Sequence, residues 1–203
     1  MRIMRAVLLL VVLFGSMIDA VTQPVIVVLG DSLSAGYGIE LDQGWVAQLQ
    51  QRLRREGYPH RVVNASISGE TTRGALARLD DLLARHRPAI VIVELGSNDG
   101  LRGLSLQEMR ENFSQIILRS KQAGAQVLLI TMRLPTNYGP VYIGGFQKLF
   151  DALVHEHAVP TAPFILEGIA DRLELMQEDG IHPRTEAQGL MLDNVWPALA
   201  QLL

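Results

Sequence analysis

Apolar positions follow two patterns that take turns along the chain. The first is the short unbroken aliphatic run: Val25-Ile26-Val27-Val28-Leu29, then Ile90-Val91-Ile92-Val93-Glu94-Leu95, then Val127 to Thr131. Arg61-Val62-Val63-Asn64-Ala65 is a shorter run, and a weak one lies near Val159 to Phe164. The second pattern repeats at helical spacing. Trp45, Val46, Leu49 and Leu53 mark a helix over about 44–56, which Gly57-Tyr58-Pro59 ends. Leu76, Leu79, Leu82 and Leu83 mark a second, capped by Thr71 or Thr72. Met109, Phe113, Ile116 and Ile117 mark a third, from Ser105 to about Ala123. A fourth helix ends near His157, and a last one from about Thr185 is expected to bury Leu190, Leu192, Val195, Trp196 and Leu199. Strands that are apolar on both faces and alternate with helices predict an α/β fold, a parallel sheet of about five strands covered on both sides. In such a fold the loops after the strands' C-terminal ends gather on one edge and form the site.

Composition narrows the function classes. The chain has 203 residues, 48% of them hydrophobic, enough for one domain with a full core. A net charge of −3 argues against nucleic acid as a partner. With no cysteine, disulfides, thiolate catalysis and Cys-based metal sites are excluded. The start of the chain has the pattern of a secretory signal peptide: Arg2 and Arg5, an apolar stretch from Ala6 to Phe14, and small residues up to Ala20. An uncleaved anchor is the alternative. The expected division is a signal peptide over 1–20 and a single domain over 21–203, periplasmic or secreted by a bacterium. The apolar stretch is short for a bilayer span, so no stable membrane insertion is expected once it is removed.

Three strand-following loops carry the candidate chemistry. Gly30-Asp31-Ser32-Leu33-Ser34 follows the first strand, Ser66-Ile67-Ser68-Gly69 the second, and Gly96-Ser97-Asn98-Asp99-Gly100 the third. Taken alone, Ser32 reads better as a helix cap than as a nucleophile. Asp179-Gly180-Ile181-His182, near the other end of the chain, reverses that reading. A serine hydroxyl needs an adjacent base, which His182 supplies; Asp179 could fix the imidazole tautomer, and Pro183 stiffens the loop. An oxyanion formed by attack needs preorganised donors. The Ser32 amide, the Gly69 amide and the Asn98 side chain would arrive from the three loops. His155-Glu156-His157 does not read as a metal site, because helical residues two apart face different ways. His60 and His86, beside strand starts, read as surface residues, and Glu94 as a buried carboxylate with structural hydrogen bonds beneath the site.

The motifs around Ser32, Gly69, Asn98 and His182 resemble the four signature blocks of the GDSL (SGNH) hydrolase family. Gly30-Asp31-Ser32-Leu33-Ser34-Ala35-Gly36-Tyr37, Val63-Asn64-Ala65-Ser66-Ile67-Ser68-Gly69, Asn98-Asp99-Gly100-Leu101-Arg102-Gly103 and Asp179-Gly180-Ile181-His182-Pro183 are most similar to its bacterial thioesterase I, lysophospholipase and arylesterase group. The resemblance implies a three-layer flavodoxin-like fold, no cofactor, no metal and a monomer. It also implies hydrolysis of small-molecule acyl esters and thioesters: aryl esters, lysophospholipids and long-chain acyl-CoA. The segment from Asp99 to Leu104, with Leu101, resembles the family's mobile loop beside the site. Leu134-Pro135-Thr136-Asn137-Tyr138-Gly139 resembles its substrate-contacting loop, making Leu134, Pro135 and Tyr138 candidate substrate contacts; a plain connection is the alternative. Ser97 and Glu70 depart from the group's common Gly and Asp. Sugar deacetylation and a non-enzymatic ligand-binding module remain the rival functions.

Overall fold

The computed structural model describes residues 23–203, so the signal-peptide pattern of residues 1–20 lies outside the described residues. The aliphatic runs form strands β1 (Val25–Gly30), β2 (Arg61–Asn64), β3 (Ile90–Glu94), β4 (Gln126–Ile130) and β5 (Thr161–Ala162). All pair in parallel in the order β2-β1-β3-β4-β5. The two central strands β1 and β3 are buried at every position, which explains why they are apolar up to Glu94 at the end of β3. β2, at the edge, exposes Arg61 and Asn64.

Among the described residues, seven helices connect and flank these strands: α1 (Ser32–Ala35), α2 (Trp45–Arg55), α3 (Thr72–His86), α4 (Ser97–Leu101), α5 (Leu106–Gln122), α6 (Pro140–His157) and α7 (Gln188–Leu199). α2 packs on α7, while α3, α5 and α6 pack side by side. Right-handed crossovers put these two groups on opposite faces of the sheet, giving three layers. Phe113 of α5 meets Phe150 of α6 edge-on at 5.5 Å between ring centres, and Phe150 meets Phe146 at 5.3 Å.

The helix starts follow local chemistry. Thr71 Oγ1 accepts the Gly74 N–H at 3.3 Å, Ser105 Oγ accepts the Glu108 N–H at 3.3 Å, and Pro140 opens α6. α2 has no side-chain cap of its own. The buried Gln188 supplies one from 143 positions away, its Oε1 accepting the Trp45 N–H at 3.0 Å.

Two expectations are corrected here. Residues Thr185–Ala187 form a 3-10 turn, so α7 starts only at Gln188. Its buried stripe is Gln188, Met191, Leu192, Val195 and Leu199, and Leu190 is exposed. His60 is buried beside the Tyr58 ring, which in turn meets Trp196, whereas His86 stays half-buried.

The strand order changes direction between β1 and β3, and loops diverging at such a point leave a crevice at the strands' C-terminal ends. Ser32, Gly69 and Asn98 follow the three strands around that crevice.

Candidate active site

Ser32 is the first residue of α1, two positions beyond the end of β1 and directly after Asp31. Asp31 takes the cap role weighed for the serine: its Oδ1 accepts the Leu33 N–H at 3.0 Å. The Ser32 hydroxyl is therefore free to face the other partner. His182 Nε2 lies 2.9 Å from Ser32 Oγ, across 150 positions of chain. On the opposite side of the ring, His182 Nδ1 lies 2.7 Å from Asp179 Oδ2. The three side chains form one continuous hydrogen-bonded row.

The segment bearing His182 is a small hairpin. Met176 pairs with Pro183 in an antiparallel bridge, the Gln177 N–H donates to the His182 carbonyl at 2.7 Å, and Gly180 turns the chain at φ +66°. Asp179 Oδ1 accepts the N–H groups of Ile181 (2.9 Å) and His182 (3.0 Å), so one carboxylate shapes the turn and holds the ring. These bonds push the Asp179 carboxyl down to about 2, the backbone bond from His182 contributing most. Gln177 Nε2 donates to the Tyr37 carbonyl at 2.8 Å and to the Pro183 carbonyl at 3.1 Å, tying the hairpin to the segment after α1. The Tyr37 ring lies 4.3 Å from the His182 ring, tilted by 35°.

Gly69 and Asn98 reach the same edge by separate ties. The Ala65 N–H donates to the Val28 carbonyl and the Ile67 N–H to the Gly30 carbonyl, so the turn after β2 runs along the end of β1. Gly69 adopts φ +79°, a conformation that disfavours any side chain. Its carbonyl accepts Arg102 Nη2 at 3.0 Å, from the loop after α4. Among the described residues, neither the Ser32 nor the Gly69 amide has a hydrogen-bond partner. Asn98 Nδ2 donates to Asp31 Oδ2 at 3.1 Å, which sets the carboxamide beside the serine turn. Next to it the buried Asp99 accepts from the Thr72 N–H (2.9 Å) and the Thr72 hydroxyl (2.6 Å), joining α4 to the start of α3.

The apolar candidates are partly assembled. The Tyr138 hydroxyl donates to the Leu101 carbonyl at 2.8 Å, and the Leu134 side chain lies against Gly100. Pro135 is exposed and contributes its carbonyl to the turn that carries Tyr138. A separate open cavity of about 520 Å³ lies on the Asp179 side of the row, lined by Tyr37, Gln177, Asp179 and Arg184 among others.

Residues 28–190 match the model of the GDSL-like Lipase/Acylhydrolase family. The chain belongs to this family. It is 49% identical over 178 residues to Esterase TesA of Pseudomonas aeruginosa, covering 88% of this chain and 89% of that protein. It is 44% identical over 168 residues to Thioesterase 1/protease 1/lysophospholipase L1 of Escherichia coli, covering 83% and 79%. A crystal structure of TesA superimposes with a TM-score of 0.86 at 49% identity, covering 88% of this chain and 99% of that one. The expected fold therefore holds, and this GDSL-family chain is a hydrolase.

The departures expected at Ser97 and Glu70 fall on either side of the crevice. Ser97 is the first residue of α4, and Glu70 Oε2 pairs with Arg78 Nε at 2.7 Å, largely shielded from solvent, behind Gly69. Several residues of this GDSL-family site had not been assigned from sequence. Arg102 braces Gly69, Thr72 and Asp99 join two loops, and Asp31 holds Asn98. Only Asp31 had a local signal, its place beside the serine.

Proposed function

We propose that the chain is a serine esterase and thioesterase that works through an acyl-enzyme on Ser32. The observation that carries this reading is the unbroken row Asp179–His182–Ser32 at 2.7 and 2.9 Å. With the Nδ1 proton donated to Asp179, the imidazole offers its Nε2 lone pair to the Ser32 hydroxyl. His182 accepts that proton as Oγ attacks the acyl carbon, then returns it to the leaving alcohol or thiol. A water activated by the same nitrogen releases the acid. The anionic Asp179 stabilises the imidazolium formed in each half-reaction.

Negative charge on the acyl oxygen is met by the Ser32 amide, the Gly69 amide and Asn98 Nδ2. The first two have no competing partner, and the third has one N–H held by Asp31 and one to spare. The acyl chain runs along Leu101, Leu134, Pro135 and Tyr138. The substrates are small-molecule aryl esters, lysophospholipids and long-chain acyl-CoA; relatives named esterase, arylesterase and thioesterase 1/lysophospholipase L1 support the ester, thioester and lysophospholipid classes. We place the mature chain, residues 21–203, as one monomeric hydrolase unit exported behind residues 1–20.

Labelling with a fluorophosphonate probe tests the nucleophile, and hydrolysis of nitrophenyl esters of graded chain length beside an acyl-CoA tests the substrate class. Wild type should be labelled and Ser32→Ala should not. Equal labelling of both proteins, or turnover by folded His182→Ala at a tenth of wild type or more, would overturn the assignment.

A further inference from the structure

We propose that Glu94, the last residue of β3, is a positioning residue of the hydrolytic site: it fixes the Gly30–Ser34 turn so that Asp31 can hold the Asn98 carboxamide in its donor orientation. This rests on the reading of Asn98 as an oxyanion donor. Glu94 pairs with Gly30 in the sheet register, and its side chain is wholly buried beneath the turn. Its Oε2 lies 2.6 Å from Ser34 Oγ and accepts the Asp31 N–H at 3.3 Å. Asp31 then has both carboxylate oxygens engaged, Oδ1 by the Leu33 N–H and Oδ2 by Asn98 Nδ2. A second tie reaches the same turn from β2, where Asn64 Nδ2 donates to the Ser34 carbonyl at 2.7 Å.

Only glycine at position 30 leaves room for this arrangement. A Cβ there would stand 2.7 Å from Ser34 Oγ and 2.8 Å from Glu94 Oε2. The four strand residues before Glu94 are Ile90-Val91-Ile92-Val93, and a fifth aliphatic would continue the run but leave the Asp31 N–H and the Ser34 hydroxyl without this acceptor. What the carboxyl adds is its pair of bonds to the serine turn.

Glu94 Oε1 has no partner, and burial, helped by the neighbouring charge of Asp31, pushes the Glu94 carboxyl well above the usual range. The protonated form that this shift favours accepts both bonds without adding a second negative charge beside Asp31. Burial pushes Asp31 itself up to about 6, opposed by its bonds and by the nearby charge of His182, with Asp99 adding to the rise.

The test is a double-mutant cycle read by kcat and KM on a nitrophenyl ester, with melting curves to confirm folding. Asn98→Ala should lower kcat by about 100-fold, as for loss of one oxyanion donor, with KM within about twofold. Glu94→Ala should lower kcat by about tenfold in wild type, and by less than about twofold in the Asn98→Ala background. Glu94→Leu, which fills the space without an acceptor, should behave as Glu94→Ala does and keeps the test available if the alanine protein fails to fold. Glu94→Gln, which keeps one carbonyl oxygen for both donors, should recover at least about a third of wild-type kcat. If Glu94→Ala and Glu94→Leu keep kcat within about twofold, or if their loss multiplies in full with that of Asn98→Ala, Glu94 does not act through Asn98. If Asn98→Ala itself leaves kcat unchanged, the oxyanion reading fails and this inference falls with it.

Discussion

Asp179→Asn separates the two tasks that one carboxylate performs in the His182 hairpin. Oδ1 accepts two backbone N–H groups at 2.9 and 3.0 Å, and the carbonyl oxygen of asparagine can keep both. The amide nitrogen must then take the place of Oδ2, 2.7 Å from His182 Nδ1, where two donors would oppose each other. The imidazole escapes by moving its proton to Nε2, which turns a donor toward Ser32 Oγ and removes the base. In a Ser-His-Asp system this wrong tautomer costs about 10⁴ in kcat. Here the Asp179 side chain is 39% exposed, so water competes for Nδ1 and softens the loss. The expected fall is about 10³, or about 4 kcal/mol of transition-state stabilisation. Steady-state hydrolysis of a nitrophenyl ester measures it, with circular dichroism to confirm an unchanged fold. Because the folded pKa is depressed from 3.8 to about 2, the charge of Asp179 persists above pH 3.8 and is lost only as the pH falls through about 2. The acid limb of wild-type kcat/KM between about pH 4 and 7 must therefore belong to other groups. Retention of more than about a tenth of wild-type kcat/KM by a folded Asn variant would refute the tautomer argument.

Three further outcomes follow from the packing and charge around the site. Gly30→Ala forces a methyl against Ser34 and Glu94, so a cost of about 1–3 kcal/mol should appear as a Tm lower by about 2–10 °C; an unchanged melting curve would contradict the tight contact. Burial raises the folded Glu94 carboxyl well above the 4.5 of the unfolded chain, so its contribution to stability is full below pH 4.5 and declines as the pH rises above it. Glu94→Gln lacks that decline, and its Tm relative to wild type should rise from pH 4 to pH 7; a gap independent of pH would mean that Glu94 is buried as an ion. Tyr138→Phe removes the bond to the Leu101 carbonyl, worth about 0.5–1.5 kcal/mol, and should raise KM for long-chain esters by about 3–10-fold while short-chain turnover stays within about twofold; equal effects on both would place Tyr138 outside the acyl path.

The layered sheet was readable because each central strand is an aliphatic run buried on both faces, with its one polar residue, Glu94, coming only at the end of β3. The motif residues were readable for a different reason: Ser32, Asp179 and His182 carry reactive groups that few other roles explain together. Reading failed where a polar side chain spends itself on a distant partner. Gln188 lies on the buried stripe of α7 because it caps α2, and its polarity shifted the expected stripe to Leu190. The 3-10 turn at Thr185–Ala187 added to that error, since its tighter winding moves the helix start. His60 reads as a surface residue because nothing near it in the chain announces that Trp196, 136 positions on, packs against its neighbour Tyr58. The braces from Arg102 to Gly69 and from Tyr138 to Leu101 span 33 and 37 positions, so no local spacing encodes them.

The hairpin that delivers His182 stands apart from the sheet. It is closed by a single bridge between Met176 and Pro183 and moored to the rest of the molecule partly through Gln177. Leu175, Met176 and Pro183 anchor its stem in the core, whereas residues 178–181 at its tip are exposed, so the tip opens at a lower free energy than the buried sheet. Gentle warming or dilute urea should thus silence the enzyme reversibly while the β-scaffold still resists exchange of its amide hydrogens. Loss of activity would then precede collapse of the architecture, and an assay of one would be no measure of the other.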